Sequence, residues 1–201
     1  MHKMSPVARR WGLRPPRRHP SATGERGQTL AEFALVATPL FITLFAIIQL
    51  GLLFGSQVGL SNAARESARH ASTVITSTSS HAATNAAATC ADLRNARLPQ
   101  AVPAFSAANL TASAPRTRVG FYYYVAPGTS PAKYSVRVIV EVQYRQLLLV
   151  PIISAMLDGF DGSNDNRLRL GAREEMRVEG PLLVAAPAGI GFGAPASWVS
   201  C

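Results

Sequence analysis

Arg26-Gly27-Gln28-Thr29-Leu30-Ala31-Glu32-Phe33 opens an apolar run that continues to Phe54, and this combination decides how the chain is read. Between Leu30 and Phe54 lie 25 residues whose single ionisable group is Glu32. At 1.5 Å per residue, such a helix crosses a hydrocarbon core of about 30 Å with some tilt. A charged side chain near a bilayer centre costs roughly 2.5–3.5 kcal/mol on insertion scales, so a carboxylate in this segment points to function. The plain alternative is an interfacial carboxylate that snorkels to the headgroups and needs no partner. The run is longer than the apolar region of a secretory signal, and no small-residue cleavage site follows it. It therefore reads as a retained anchor. Pro39 removes one backbone hydrogen bond, which a membrane helix tolerates with a kink.

The charge distribution agrees with an anchor. Of the net +9, residues 1–27 carry +6, from Lys3, Arg9, Arg10, Arg14, Arg17, Arg18 and Arg26 against Glu25 alone. This leader contains Pro6, Pro15, Pro16 and Pro20, and residues 1–24 read as disordered. A basic segment directly before a spanning helix keeps the N-terminus cytoplasmic and sends the chain beyond Phe54 outside. A basic arm for nucleic acid has the same composition but has no use for the spanning helix, so nucleic acid is not expected as a partner.

Working outward, Ser56 to Ala71 lacks proline and repeats small or apolar residues at Val58, Leu60, Ala63, Ala64, Ser67, Ala68 and Ala71. Arg65 and Arg69 fall four apart on another face. The spacing predicts one helix from about Gln28 to Ser72. Residues 80–98 form a second helix, capped by Ser79 or Ser80 and stopped by Pro99. Residues 99–115 hold three prolines and serve as a connector.

The period then changes to two. Val119, Phe121, Tyr123 and Val125 form one inward face, and Tyr134, Val136, Val138, Val140, Val142 and Tyr144 form a second. The loop 126–133, with Pro127-Gly128 and Pro131, joins them as a hairpin. Leu168, Leu170, Ala172, Glu174, Met176 and Val178 alternate with mostly charged residues in a third strand. About three antiparallel strands make a small sheet whose apolar face the helices must cover. Residues 147–157 are apolar but too short to span; they pack on the domain or graze the membrane. Residues 182–199 are uncharged, yet Pro187, Pro195 and the glycines break them, so they read as an extended tail rather than a second span.

The stretch Arg26-Gly27-Gln28-Thr29-Leu30-Ala31-Glu32-Phe33-Ala34-Leu35-Val36, the apolar run through Pro39, and Asn62-Ala63-Ala64-Arg65-Glu66-Ser67-Ala68-Arg69 together resemble the N-terminal signature of TadE-like proteins. These are minor pilin-like (pseudopilin) components of tight-adherence, Flp-type pilus systems within the type IV pilus superfamily. The resemblance covers roughly residues 25–72, and Phe33 stands where the family often has Tyr. It implies that a prepilin peptidase cuts after Gly27, freeing an ammonium on Gln28 and making Glu32 the fifth residue of the mature chain. It further implies that Glu32 pairs with the ammonium of a neighbouring subunit. In low dielectric an unmatched charge costs several kcal/mol, so such a pair sets register. The small residues around Asn62, Ala64, Arg65, Glu66, Ala68 and Arg69 suit close helix contact, either in a bundled core or against the chain's own sheet; a solvated face has the same pattern.

Other chemistry is weakly represented. Cys90 and Cys201 lie in the part expected outside, where a disulfide is permitted; two unrelated thiols are the alternative. The loop 158–166 looks superficially like a calcium loop, but the twelfth position counted from Asp161 is Ala172, so the bidentate carboxylate is missing and a turn-rich loop is expected. Gly189-Ile190-Gly191-Phe192-Gly193 has no strand–helix context for a nucleotide. His2, His19, His70 and His81 show no metal spacing, and no nucleophile–base set stands out. No metal, cofactor or catalytic residue is expected.

The expected architecture is α+β, with a leader at 1–27, a transmembrane and amphipathic helix at 28–72, an exported domain at 73–181 and a Gly/Pro-rich tail at 182–201. The expected role is structural and non-enzymatic, in a cytoplasmic membrane crossed once, with the C-terminal domain periplasmic or extracellular. The resemblance implies as partners sibling pseudopilins, a pilus assembly platform, an assembly ATPase and a prepilin peptidase. The alternative is an uncleaved, membrane-anchored extracytoplasmic binding or sensory module.

Overall fold

The computed structural model describes residues 23–74, 76–110, 116–150, 153–155, 157, 159, 162 and 165–201, with side chains from Gln28 onward. Most of the basic leader, part of the 99–115 connector and most of the 158–164 loop lie outside the described residues. The chain divides into two compact units, 1–43 and 44–201.

Helix α1 runs Thr23–Thr73, in line with the single long helix expected from the uninterrupted pattern. In the first unit Pro39 lies inside the helix without ending it. The hydroxyls of Thr38 and Thr43 donate back to the carbonyls of Ala34 and Pro39 at 2.8 and 2.9 Å, which satisfies them within the helix.

In the second unit, α1 from Leu44 onward packs on an α+β domain. Helix α2, Ser79–Asp92, begins at Thr78, whose hydroxyl accepts the His81 N–H at 3.3 Å. The cap is Thr78 rather than Ser79 or Ser80 because the donor three residues on, His81, is the one within reach. A π-helical turn, Leu93–Arg97, follows, and then α3, Leu98–Ala101. Pro99 was expected to stop this helix and does not. The wide turn restarts the helical register, so Pro99 falls in a first turn where its missing N–H has no partner to lose.

Strands β1 (Arg118–Val125), β2 (Tyr134–Leu147) and β3 (Arg167–Arg177) are the three expected strands, antiparallel through Phe121↔Val138 and Val138↔Met176. Among the described residues the sheet has five strands. β4 (Gly191–Phe192) pairs parallel with β1 at Tyr122–Tyr123, and β5 (Trp198–Ser200) pairs antiparallel with it at Arg118–Gly120. Both come from the 182–201 segment, which is therefore sheet edge and not free tail. Gly120 permits the approach: a Cβ there would meet Pro195 and Trp198 at under 3 Å.

The apolar sheet face, including Val119, Phe121, Val138, Val140, Val142 and Tyr144, is buried with Leu60, Ala64, Ala68 and Ala71 of α1, Ala86 and Cys90 of α2, and Leu93 and Leu98. The helices cover the sheet as the alternation requires.

Candidate functional site

The N-terminal unit presents large apolar side chains in an unbroken series. Leu30, Phe33, Leu35, Val36, Leu40 and Phe41 are all more than half exposed. Among the described residues, an apolar 18-residue window of the helix is only 6% buried. Glu32 lies exposed near its start, and its Oε1 accepts from Gln28 Nε2 at 3.0 Å, one turn earlier. Gly27 lies in the helical backbone of α1. Gln28 and Glu32 are thus adjacent on one helix face, with Phe33 beside them.

The 62–69 stretch, in the second unit, divides into two faces. Ala63, Ala64, Ser67 and Ala68 are buried, at 3% exposure or less, in the chain's own core. Asn62, Arg65, Glu66 and Arg69 face outward. Arg65 reaches Glu174 on β3 at 3.2 Å, and Glu66 lies 3.5 Å from Arg97, which also holds Asp92 at 2.9 Å. These exposed pairs orient more than they stabilise. Close approach is real one turn earlier: the backbone of Gly59 meets that of Ala101 with no room for a Cβ.

Cys90 and Cys201 form a disulfide that ties β5 to α2, and the Cys201 N–H donates to Thr117 O at 2.9 Å. Among the described residues no cluster of three or more His, Cys, Asp or Glu could hold a metal.

Two features had little or no signature in the sequence. The first is Gln49, the one amide in the apolar run. It is 1% exposed, and its Oε1 accepts the Leu149 N–H at 2.8 Å. Its Nε2 is buried without a hydrogen-bond partner among the described residues. A lone polar residue inside an apolar helix was its signal. The second is a charged network on the sheet face away from the helices. Glu141 takes Arg118 and Arg173, while Glu175 takes Arg137 and the Tyr122 hydroxyl. Arg118 stacks over Trp198 and Arg137 over Tyr124. Burial alone pushes the Glu175 carboxyl up, but the Tyr122 hydroxyl and Arg137 outweigh it and hold the group below its ordinary value. Burial, together with the bond to Glu175, raises the Tyr122 phenol. A hydrogen bond from Ser135, helped by Arg137, lowers the Tyr124 phenol. Cross-strand spacing groups these residues, but their pairing depends on register.

The fold and this surface define a class: an α+β domain carried on one N-terminal helix that is long and apolar enough to cross a membrane. Residues 27–69 match the family model described as TadE-like protein, the family that the sequence resembles. The match suggests a component associated with a tight-adherence pilus, in a membrane setting. No curated protein matches the chain, and no solved structure matches it either.

Proposed function

We propose that this protein is a structural, non-enzymatic minor pseudopilin of a tight-adherence pilus or a related secretion apparatus. α1 anchors it in the cytoplasmic membrane, and the α+β domain lies on the far side, in the periplasm or beyond. The observation that carries this reading is the coincidence of the 27–69 family match with an uncovered apolar helix bearing one carboxylate at its start.

The chemistry follows from position. Cutting after Gly27 converts the Gln28 nitrogen from an amide to an ammonium, four residues from Glu32. Within one helix the two lie on the same side, so a carboxylate in lipid has a cation available from its own or a neighbouring subunit. In a low-dielectric packing of helices, the intersubunit pair fixes axial register, because a slipped subunit leaves a charge unmatched. The domain then meets sibling pseudopilins, and the cytoplasmic end meets the assembly platform and its ATPase.

N-terminal sequencing of protein from native membranes tests the first step, with Gln28 expected as the first residue. A chain that keeps Met1 favours an uncleaved anchored binding or sensory module. Glu32→Ala is expected to insert in the membrane at the normal level and to abolish piliation; normal pili in that variant overturn the role given to Glu32.

A further inference from the structure

We propose that the membrane-proximal end of the sheet, formed by Leu147, Leu149, Arg167 and Arg169, docks on the anionic phospholipid surface of the leaflet from which α1 emerges. The proposal rests on the anchor reading above and adds to it where the domain sits.

Gln49 lies five residues before Phe54, the end of the apolar run, which is about 7.5 Å along a helix axis. At that level the domain is already in contact with α1. Gln49 and Leu53 are buried under it, and Ser56 donates to the buried Gln146 at 2.9 Å. On the same turns Ile47, Ile48, Leu50, Phe54 and Val58 remain exposed. The apolar outer face of α1 therefore continues alongside the lower edge of the domain. If lipid reaches Phe54 on the open side, the 147–150 segment on the covered side lies at headgroup and upper acyl depth.

The segment is built for that depth. Leu147 and Leu149 are 44% and 62% exposed, beside the buried Leu148. Backbone groups near lipid must be satisfied internally. The Leu148 N–H donates to Asn166 O at 2.9 Å, the Leu149 N–H to Gln49 at 2.8 Å, and the Ser154 N–H to Val150 O at 2.8 Å. The Gln49–Leu149 bond also shields from lipid the one amide in the spanning segment.

Charge selects the lipid. Arg167 and Arg169 stand opposite Leu147 and Arg145 at this end of the sheet. Arg145 is committed to Asp165 at 3.3 Å, while Arg167 and Arg169 have no ion-pair partner among the described residues. Cations beside exposed leucines are the composition of an interfacial contact with anionic headgroups.

The test uses the full chain, disulfide intact, reconstituted in phosphatidylglycerol/phosphatidylcholine vesicles. Spin labels are placed through Leu44→Cys, Leu149→Cys and Val184→Cys, and accessibility to oxygen is compared with accessibility to a water-soluble nickel complex. The Leu149 label is expected to give an oxygen-to-nickel ratio several-fold above that of the Val184 label. The double variant Arg167→Glu/Arg169→Glu is expected to lower the ratio on anionic vesicles and leave it unchanged on pure phosphatidylcholine. A water-like Leu149 label with a lipid-like Leu44 label overturns the docking and leaves the anchor standing. A water-like Leu44 label removes the anchor and the docking together. A Leu149 label shielded from both reagents assigns the segment to a protein contact and also overturns the proposal.

Discussion

Ser56 on α1 donates to Gln146 near the end of β2 at 2.9 Å, across 90 residues of sequence, and both side chains are buried. A buried hydrogen bond of this kind is worth little net, but removing one partner strands the other. Ser56→Ala leaves the Gln146 carbonyl without this donor and is expected to cost about 1–3 kcal/mol. Ser56→Ala/Gln146→Leu removes both polar groups and is expected to recover part of that loss. Chemical denaturation in detergent, followed by tryptophan emission, gives both numbers. A double variant no more stable than Ser56→Ala shows that the hydrogen bond is not what holds this contact.

The glycines of α1 differ sharply in what surrounds them. A Cβ on Gly59 would lie 2.0 Å from the Ala101 carbonyl oxygen, whereas Gly51 and Gly55 face open space. Gly59→Ala is expected to push α3 off α1 and destabilise the domain by about 1–3 kcal/mol, as overpacking does. Gly55→Ala is expected to be neutral, or to stabilise by up to about 1 kcal/mol through helix propensity. The same denaturation series compares them. Equal effects from the two variants exclude the close approach of Gly59 to Ala101.

The long helix and β1–β3 were legible because their patterns are long and uninterrupted. Val136, Val138, Val140 and Val142 repeat every second residue, and every one of them is buried. β4 and β5 were not legible, because two residues such as Gly191–Phe192 carry no period. Their pairing is decided by the open edge of β1 and by the space above Gly120. The end of the second helix was misread for a similar reason: the π turn before Pro99 is a backbone adjustment without a residue signature. In the candidate site, the sequence marked Glu32, Arg65 and Glu66 as noteworthy. It could not supply Glu174 or Arg97 as partners, since those contacts join elements 109 and 31 residues apart. Gln49 drew no attention in the sequence beside Glu32, and its partner is the Leu149 backbone N–H, which no side-chain pattern encodes.

Cys90 and Cys201 are separated by 111 residues, so the bridge closes most of the second unit into one loop. In the chain-entropy account, a loop of that length is worth up to about 4.7 kcal/mol, and less wherever the reduced chain keeps structure. The bridge also anchors β5, a strand of only three residues at the edge of β1. Reduction, or the Cys90→Ala/Cys201→Ala pair, is expected to lower the midpoint of unfolding and to free the C-terminal strand first. Limited proteolysis reads the second effect as early cleavage near Ala194–Ser197, with the rest of the domain still resistant. Uniform loss of the whole domain at the same rate argues against a local role for β5.

Glu175 and Tyr122 make the domain sensitive to both acid and base. The folded state holds the Glu175 carboxyl below its ordinary 4.5, with the Tyr122 hydroxyl and Arg137 overcoming the effect of burial. A depressed carboxylate stabilises the fold above its unfolded value, and that stability is lost as pH falls through the folded value. Tyr122 has the opposite sign. Burial, then the bond to Glu175, raise its phenol above 10.0, so its contribution is intact below that pH and disappears as pH rises through the folded value. Glu175→Gln is expected to flatten the fall in stability below about pH 4.5, and Tyr122→Phe the fall above about pH 10. Denaturation midpoints across pH 2.5–11, taken as differences from the parent chain, isolate each group from the other carboxylates and phenols. If Glu175→Gln runs parallel to the parent through the acid range, Glu175 is no more stabilised by its partners folded than unfolded. The Tyr122–Glu175–Arg137 cluster is then only a surface arrangement.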